Sequence, residues 1–265
     1  MASQAAKRVL VVAGLGNGSG TGGSTASRLF AKQGYTVALI SRASTVGDAN
    51  SNTPSKLADE INAAGGHAAA FPVPSYSPNA IADAWKAIHQ RFPTPEYAIR
   101  AAVFNAGDGV WKPFLDITQA EVKKSLETGV EGAFEFARGA ITTFKTNDLE
   151  EPAGKRGTLI FTGATASIRG NTTTSLFSAG KFALRALSQS LAKEFGKENI
   201  HVAHTIIDGG ILMDRQRERQ SAEWVNNENV RLNPDSIAQS YIYLVNQDRS
   251  SWTWELDLRP AHEKW

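Results

Sequence analysis

The sequence predicts an α/β protein, a Rossmann-type doubly wound parallel sheet in a single domain. Three observations carry that expectation. Short β-branched strands alternate with helical segments along the chain, and the first strand runs straight into a glycine-rich turn. The length of 265 residues, with 42% hydrophobic and 20% charged side chains, suits one large globular domain with a sizeable core. Short apolar strands separated by helices imply a parallel sheet covered on both faces.

The elements follow in order. Residues 9–13 form a valine-rich first strand ending at Gly14. Residues 24–33 read as a helix stopped by Gly34, and 36–40 as the second strand. A helix over 55–64 ends at Gly65-Gly66, a pair that permits the left-handed turn closing a helix. Residues 68–73 make a third strand, 81–91 a helix and 101–104 a fourth strand. One long helix is expected over 121–144, a fifth strand over 158–161 and a second long helix over 176–195. Residues 200–207 are the sixth strand, 234–246 the last helix and 252–256 the last strand. The domain spans 1–265 with no linker, repeat or low-complexity tract. Its one polar, irregular stretch, about 211–233, reads as a lid-like substrate segment and carries Arg215, Arg217, Glu218, Arg219 and Glu223.

Composition narrows the function. A net charge of +2 without basic runs argues against a nucleic-acid partner. No apolar stretch approaches the roughly 18 residues that cross a bilayer, so no membrane partner is expected. Residues 1–8 are small and polar and lead into a strand, unlike a signal peptide. The chain has no cysteine, which excludes disulfides, thiolate nucleophiles and cysteine metal sites and fits a reducing, cytoplasmic setting. No metal site is expected.

The turn after the first strand reads Gly14-Leu15-Gly16-Asn17-Gly18-Ser19-Gly20-Thr21-Gly22-Gly23. Glycines permit positive φ and let the backbone approach a phosphate, and the next helix presents its N-terminus to that charge. A strand–turn–helix setting makes this a dinucleotide-binding turn, with Gly14, Gly16, Asn17, Gly18, Ser19, Gly20 and Thr21 as candidate contacts. The second strand closes on Ser41-Arg42. An acidic residue there would bind a ribose 2′-hydroxyl, whereas an arginine accommodates a 2′-phosphate, so the expected cofactor is NADP(H). An exposed loop arginine is the alternative reading of Arg42.

Four features together resemble the short-chain dehydrogenase/reductase family over essentially the whole chain. They are the glycine turn, Asn105-Ala106-Gly107 after the fourth strand, Lys181 in its helix, and the sixth strand leading into Asp208-Gly209-Gly210. The segments Phe161-Thr162-Gly163-Ala164-Thr165-Ala166-Ser167 and Trp252-Thr253-Trp254-Glu255-Leu256-Asp257-Leu258-Arg259-Pro260 resemble one branch of it. The resemblance implies that Asn105, Ala106 and Gly107 support the sheet beside the cofactor and that Lys181 binds the nicotinamide ribose. It also implies a homodimer or homotetramer built on the helices 121–144 and 176–195, where Phe134, Phe136, Leu184 and Leu187 exceed the needs of one apolar face.

The departures concern proton chemistry. The family's Tyr-x-x-x-Lys pair is here Phe177-Ser178-Ala179-Gly180-Lys181, and a benzene ring cannot give or take a proton. The catalytic serine falls near Ala164 and the relay asparagine near Gly129. The usual Pro-Gly after the sixth strand is Asp208-Gly209, and the acidic residue after the third strand is Pro74. Substitutes are available. Thr162, Thr165 and Ser167 can hydrogen-bond a substrate oxygen or cap local backbone groups. Asp108 is either a partly buried acid or a turn residue. Asp208 sits at a strand's carboxyl end, where ligands bind, and His204 reads as structural. Trp111, Phe177 and Trp224 are candidates for an apolar substrate cleft. The candidate catalytic set is Lys181, Thr165 and Asp108.

Hydride addition to a ketone builds charge on oxygen that a donor must neutralise, whereas an iminium carbon is already cationic and needs none. The pattern is similar to fungal alkaloid-tailoring members of the family, which lack the serine and tyrosine, reduce imine-type intermediates and can shape a cycloaddition. The expected function is an NADPH-dependent reductase acting on a small carbonyl or imine/iminium substrate, in the manner of secondary metabolism. A non-redox cyclase or isomerase, and a silent NADP-binding protein, are the other two readings.

Overall fold

The computed structural model describes residues 5–24, 29–42 and 53–263. Seven parallel strands form one sheet in the order β3-β2-β1-β4-β5-β6-β7. They are β1 (Lys7–Ala13), β2 (Thr36–Arg42), β3 (His67–Val73), β4 (Tyr97–Phe104), β5 (Gly157–Thr162), β6 (Ile200–Ile207) and β7 (Glu255–Leu258). The helices are α1 (Thr21–Ser24), α2 (Thr53–Ala63), α3 (Pro78–Arg91), α4 (Gln119–Leu126), α5 (Gly132–Thr146), α6 (Ser175–Phe195), α7 (Asp214–Arg219), α8 (Ala222–Asn226) and α9 (Pro234–Asn246). Strand order reverses direction between β1 and β4, the switch point at which such sheets open a crevice beyond their carboxyl ends.

Side chains of a strand point alternately to its two faces, and both faces here are apolar. Val9 and Val11 pack with Trp85, Phe104, Phe136 and Phe161 under α3, α5 and α6. Leu10 and Val12 pack with Leu39, Leu57, Tyr241 and Leu244 under α2 and α9. Double-sided burial explains why the strands read as apolar runs rather than alternating ones.

Several boundaries differ from the sequence reading. The helix expected over 24–33 starts at Thr21, and its residues 25–28 lie outside the described residues. The long helix expected over 121–144 starts at Gln119, because Thr118 and Glu121 form a reciprocal cap, with N–H to side-chain contacts of 3.3 and 2.9 Å. A π-helical turn, Glu127–Glu131, separates α4 from α5. The last strand begins at Glu255 rather than at 252. Trp252 instead stacks on His201 with ring centroids 5.0 Å apart, and the Thr253 N–H donates to Gln247 Oε1 at 3.0 Å. The polar stretch 211–233 contains α7 and α8 and is closed at its base by an Ile211–Leu232 bridge. Among the described residues no helix is long and apolar enough to cross a membrane.

Of the four apolar residues read as surplus on the long helices, Phe136, Leu184 and Leu187 are buried within the chain and only Phe134 is exposed. The sheet side of these helices consumes more apolar surface than their periodicity alone suggested. Phe182 on α6 joins Phe134 as an exposed ring, and a groove between α5 and α6 is walled by Ile141, Leu187, Leu191 and Phe195.

Candidate active site

The site starts at the carboxyl ends of β1 and β4. Gly14 has φ +93°, and a Cβ there would lie 2.3 Å from the Ala106 nitrogen, so only glycine lets the two strand ends meet. Asn105 fixes the approach. Its backbone N–H donates to the Ala13 carbonyl at 2.8 Å, and its side-chain amide donates to the Gly14 carbonyl at 2.7 Å. The Gly14 N–H donates to the Ile40 carbonyl at 3.0 Å, which ties in β2.

Beyond Gly14 the loop is open at Gly16 and packed again at Gly20, Gly22 and Gly23. Gly16 has φ +58° and a Cβ on it would meet nothing within 4 Å. Asn17 Oδ1 accepts from the Ser19 N–H at 3.1 Å and the Ser19 hydroxyl at 2.6 Å, curling the turn toward the buried Thr21 at the start of α1. An open backbone ahead of a helix start, at the switch point of the sheet, fits a dinucleotide's phosphates. Arg42 is exposed at the end of β2, its guanidinium 5.5 Å from the centre of the Tyr76 ring. Ser41 is buried on the opposite side, and the Tyr76 phenol is pushed up by burial against the opposing pull of Ser41 and Arg42.

A crevice lies beyond the end of β4, between its following turn and α6. The turn after β4 contributes Ala106, Gly107 and Asp108, and α6 contributes Phe177 and Lys181. Positions four apart on a helix share a face, so the retained lysine and the phenylalanine meet, with Nζ 5.8 Å from the ring centre. Lys181 Nζ donates to the Thr162 carbonyl at 2.8 Å, and burial without a charged partner lowers its pKa to about 8. Gly129, on the π turn, also lines the crevice, and nothing stands within 4 Å of where its Cβ would be. Trp111 leans on Phe177 from outside, with centroids 5.0 Å apart.

The family model of the short chain dehydrogenases matches residues 7–224. The chain belongs to that family. A short-chain dehydrogenase of Rhodopseudomonas palustris is 29% identical, with 96% of this chain and 99% of that one covered and a TM-score of 0.73. An alcohol dehydrogenase of Thermococcus sibiricus, solved with 5-hydroxy-NADP, is 20% identical, with 97% and 98% covered and a TM-score of 0.77. A short chain dehydrogenase of Burkholderia cenocepacia J2315, solved with NADP, is 23% identical, with 96% of each chain covered and a TM-score of 0.73.

The short-chain dehydrogenase frame makes the fate of the other candidate groups informative. Thr165 donates its hydroxyl to the Asp208 carboxylate in a short hydrogen bond. Asp208 is 1% exposed and also faces Arg169 at 3.6 Å and Arg259 at 3.4 Å. The structure therefore joins Thr165 and Asp208 to each other and to two arginines. Asp108 pairs with Lys124 at 3.3 Å, and its carbonyl accepts from Ser125 at 3.2 Å. Gly209, at φ +146°, packs under Pro260. Trp224 packs on Gly210, where a Cβ would meet its ring at 2.8 Å. Gly20 lies against Met213, and the Asp214 N–H donates to Ser19 Oγ at 3.2 Å, so the segment 211–233 reaches the glycine turn. His204 is fully buried, with neither ring nitrogen hydrogen-bonded, and burial pushes its pKa down to about 4, helped by the Lys181 charge.

Sequence reasoning passed over Ser125, Arg169, Arg259 and Met213 as members of this region. Their contacts cross 17 residues of chain or more, and no local spacing signals them. The buried Asp208 cluster yields a direct test. Asp208→Asn keeps the shape and an acceptor for Thr165 but removes the charge facing Arg169 and Arg259. Since both arginines reach solvent, the expected loss is about 2 kcal/mol of stability, read from urea unfolding. An unchanged urea midpoint would show that solvent, not Asp208, neutralises the arginines.

Proposed function

We propose that this short-chain dehydrogenase is an NADPH-dependent reductase with altered acid–base groups, acting on a small organic substrate that carries a carbonyl or an imine/iminium carbon. The observation that carries this reading is Lys181 in its family position while Phe177 puts an aromatic face where a phenol would stand. The open glycine turn and Arg42 would hold the dinucleotide. The NADP in the Thermococcus sibiricus and Burkholderia cenocepacia structures supports that choice. When bound, the reduced cofactor supplies a hydride. The Phe177 and Trp111 rings then favour a cationic substrate carbon through their negative faces. The segment 211–233 acts as the specificity lid, resting on the glycine turn through Met213 and Asp214. The setting proposed is cytoplasmic secondary metabolism.

Cofactor choice is tested by titration. Wild type should bind NADPH more tightly than NADH, and Arg42→Ala should cost roughly tenfold for NADPH alone, about 1.4 kcal/mol. Equal affinities in the wild type would contradict the role given to Arg42.

The assembly proposed is a dimer or tetramer through α5 and α6, which carry the exposed Phe134 and Phe182, with Phe134 lining the groove between them. Light scattering at micromolar concentration should return a multiple of 28.5 kDa, and a monomer would remove the proposal.

Phe177→Tyr separates a site that has lost its acid from one built for another substrate. The tyrosine would sit beside Lys181 but without a serine at Ala164 or a relay side chain at Gly129. NADPH oxidation with a simple ketone is expected to stay within about threefold of background, because a lone hydroxyl on an apolar wall gains no partners. Robust ketone turnover by the variant would mean that the phenol was the sole missing part.

A further inference from the structure

A neutral substrate needs an acid at this site, and the hydroxyls nearby are committed elsewhere. The Thr162 hydroxyl lies 2.7 Å from the buried Tyr241 hydroxyl. Thr165 donates to Asp208. Ser167 is fully buried and accepts the Ala164 N–H at 3.0 Å. The Asp108 carboxylate faces the Lys124 ammonium at 3.3 Å. Lys181 is different. It lines the crevice between Gly107 and Phe177, with Nζ 3.7 Å from where a Gly107 Cβ would stand. Its hydrogen bond to the Thr162 carbonyl at 2.8 Å uses one of the three donors of an ammonium.

We propose that Lys181 is the acid of this site and delivers a proton to the nitrogen of a neutral imine held against Phe177 and Trp111. The inference rests on the reductase reading above and narrows its substrate to protonatable imines. In the step, an Nζ–H bond breaks and an N–H bond forms on the substrate, leaving a neutral lysine and an iminium cation under the aromatic faces. The iminium carbon gains its C–H bond from the hydride of the reduced nicotinamide, and the C=N π pair becomes the lone pair of the product amine. Lys181 then recovers a proton from water. An imine nitrogen is a weaker base than an ordinary amine but a far stronger one than a ketone oxygen, so a lysine whose pKa is lowered to about 8 is better matched to the imine.

The surroundings favour release of that proton. Among the described residues no carboxylate contacts Nζ to hold it. His204 on β6 is kept neutral by burial, and Arg185, one turn along α6, is paired to Glu255 through two contacts of 2.7 Å. On the β4 side, Asp108 is answered by Lys124. The pKa of about 8 lies below the ordinary lysine value, so the acid form is complete at lower pH and is lost as pH rises through that value.

The test uses two substrates of one shape, a cyclic ketimine and its N-methyl iminium salt, with wild type and Lys181→Arg between pH 6 and 10. Arginine keeps the charge and the donors but does not release a proton. Wild-type turnover of the ketimine should fall on the alkaline side, while the N-methyl salt shows no such fall. At alkaline pH, Lys181→Arg should lose the ketimine by roughly thirtyfold or more beyond whatever it loses on the salt, because any cost to cofactor binding falls on both substrates alike. Independently of turnover, two lysine ε-carbons in the NMR spectrum of the protein alone, those of Lys155 and Lys181, should report titration near pH 8, and only one of them should remain in the variant. Equal losses on both substrates, matching wild-type pH profiles, or a Lys181 ammonium, identified by its absence from the variant, that stays protonated to pH 10 would overturn the proposal. Reduction of the salt without reduction of the ketimine would overturn it and leave the reductase reading standing. NADPH binding with oxidation by neither substrate would overturn both.

Discussion

The close contact between the ends of β1 and β4 organises the rest of the molecule. Gly14 gives up a side chain so that its backbone can touch Ala106, and Asn105 closes the contact with one backbone and one side-chain hydrogen bond. That contact sets where the glycine turn begins and where Gly107 and Asp108 emerge. It therefore places both halves of the crevice. A bulkier residue at Gly14 would have to move backbone rather than a flexible side chain, which a packed sheet resists.

The polar groups around the crevice are spent on the protein itself. Thr165 is hydrogen-bonded to Asp208, and Arg169 and Arg259 face that carboxylate, across the β5–α6 connection, the end of β6 and the tail after β7, where Arg259 also pairs with Asp257. Thr162 and Tyr241 share a hydrogen bond beneath it. Where relatives of the expected pattern would carry a serine, a tyrosine and an asparagine, this chain has Ala164, Phe177 and Gly129. The wall left behind is aromatic and glycine-lined, with a single cationic group, Lys181, set into it. Such a wall suits a cation, whether on Lys181 or on the substrate, better than an anion created on a substrate oxygen.

The fold was legible in the sequence because its signals are local and repeated. Apolar strands announce double-sided burial, Gly34 and Gly65 take the positive φ that ends helices, and the last helix spans the expected Pro234–Asn246. The cofactor turn was legible for the same reason, since strand, glycines and helix are contiguous. The site was legible only in part. The pairing of Phe177 with Lys181 follows from helical spacing, and Phe177 with Trp111 was guessed from chemistry. The engagement of Thr165 by Asp208 spans 43 residues, and that of Ser19 by Asp214 spans 195, so neither leaves a trace in spacing. Charge partners such as Lys124 for Asp108 are likewise set by tertiary packing. The same limit explains Phe136, Leu184 and Leu187, where periodicity shows an apolar stripe but not how wide a surface the sheet behind it covers.

The π turn at Glu127–Glu131 has a consequence for how this helix pair tolerates change in length. Such a turn is an α-helix holding one surplus residue, and one residue of an α-helix is worth about 100° of rotation. Ser125, which reaches back to Asp108, and Phe136, which faces the sheet, lie on opposite sides of that surplus. Loss of one residue within the turn would restore a regular helix and rotate one set of contacts away from the other. The surplus residue thus acts as a phase correction, letting one continuous rod serve the crevice with its first half and the sheet with its second.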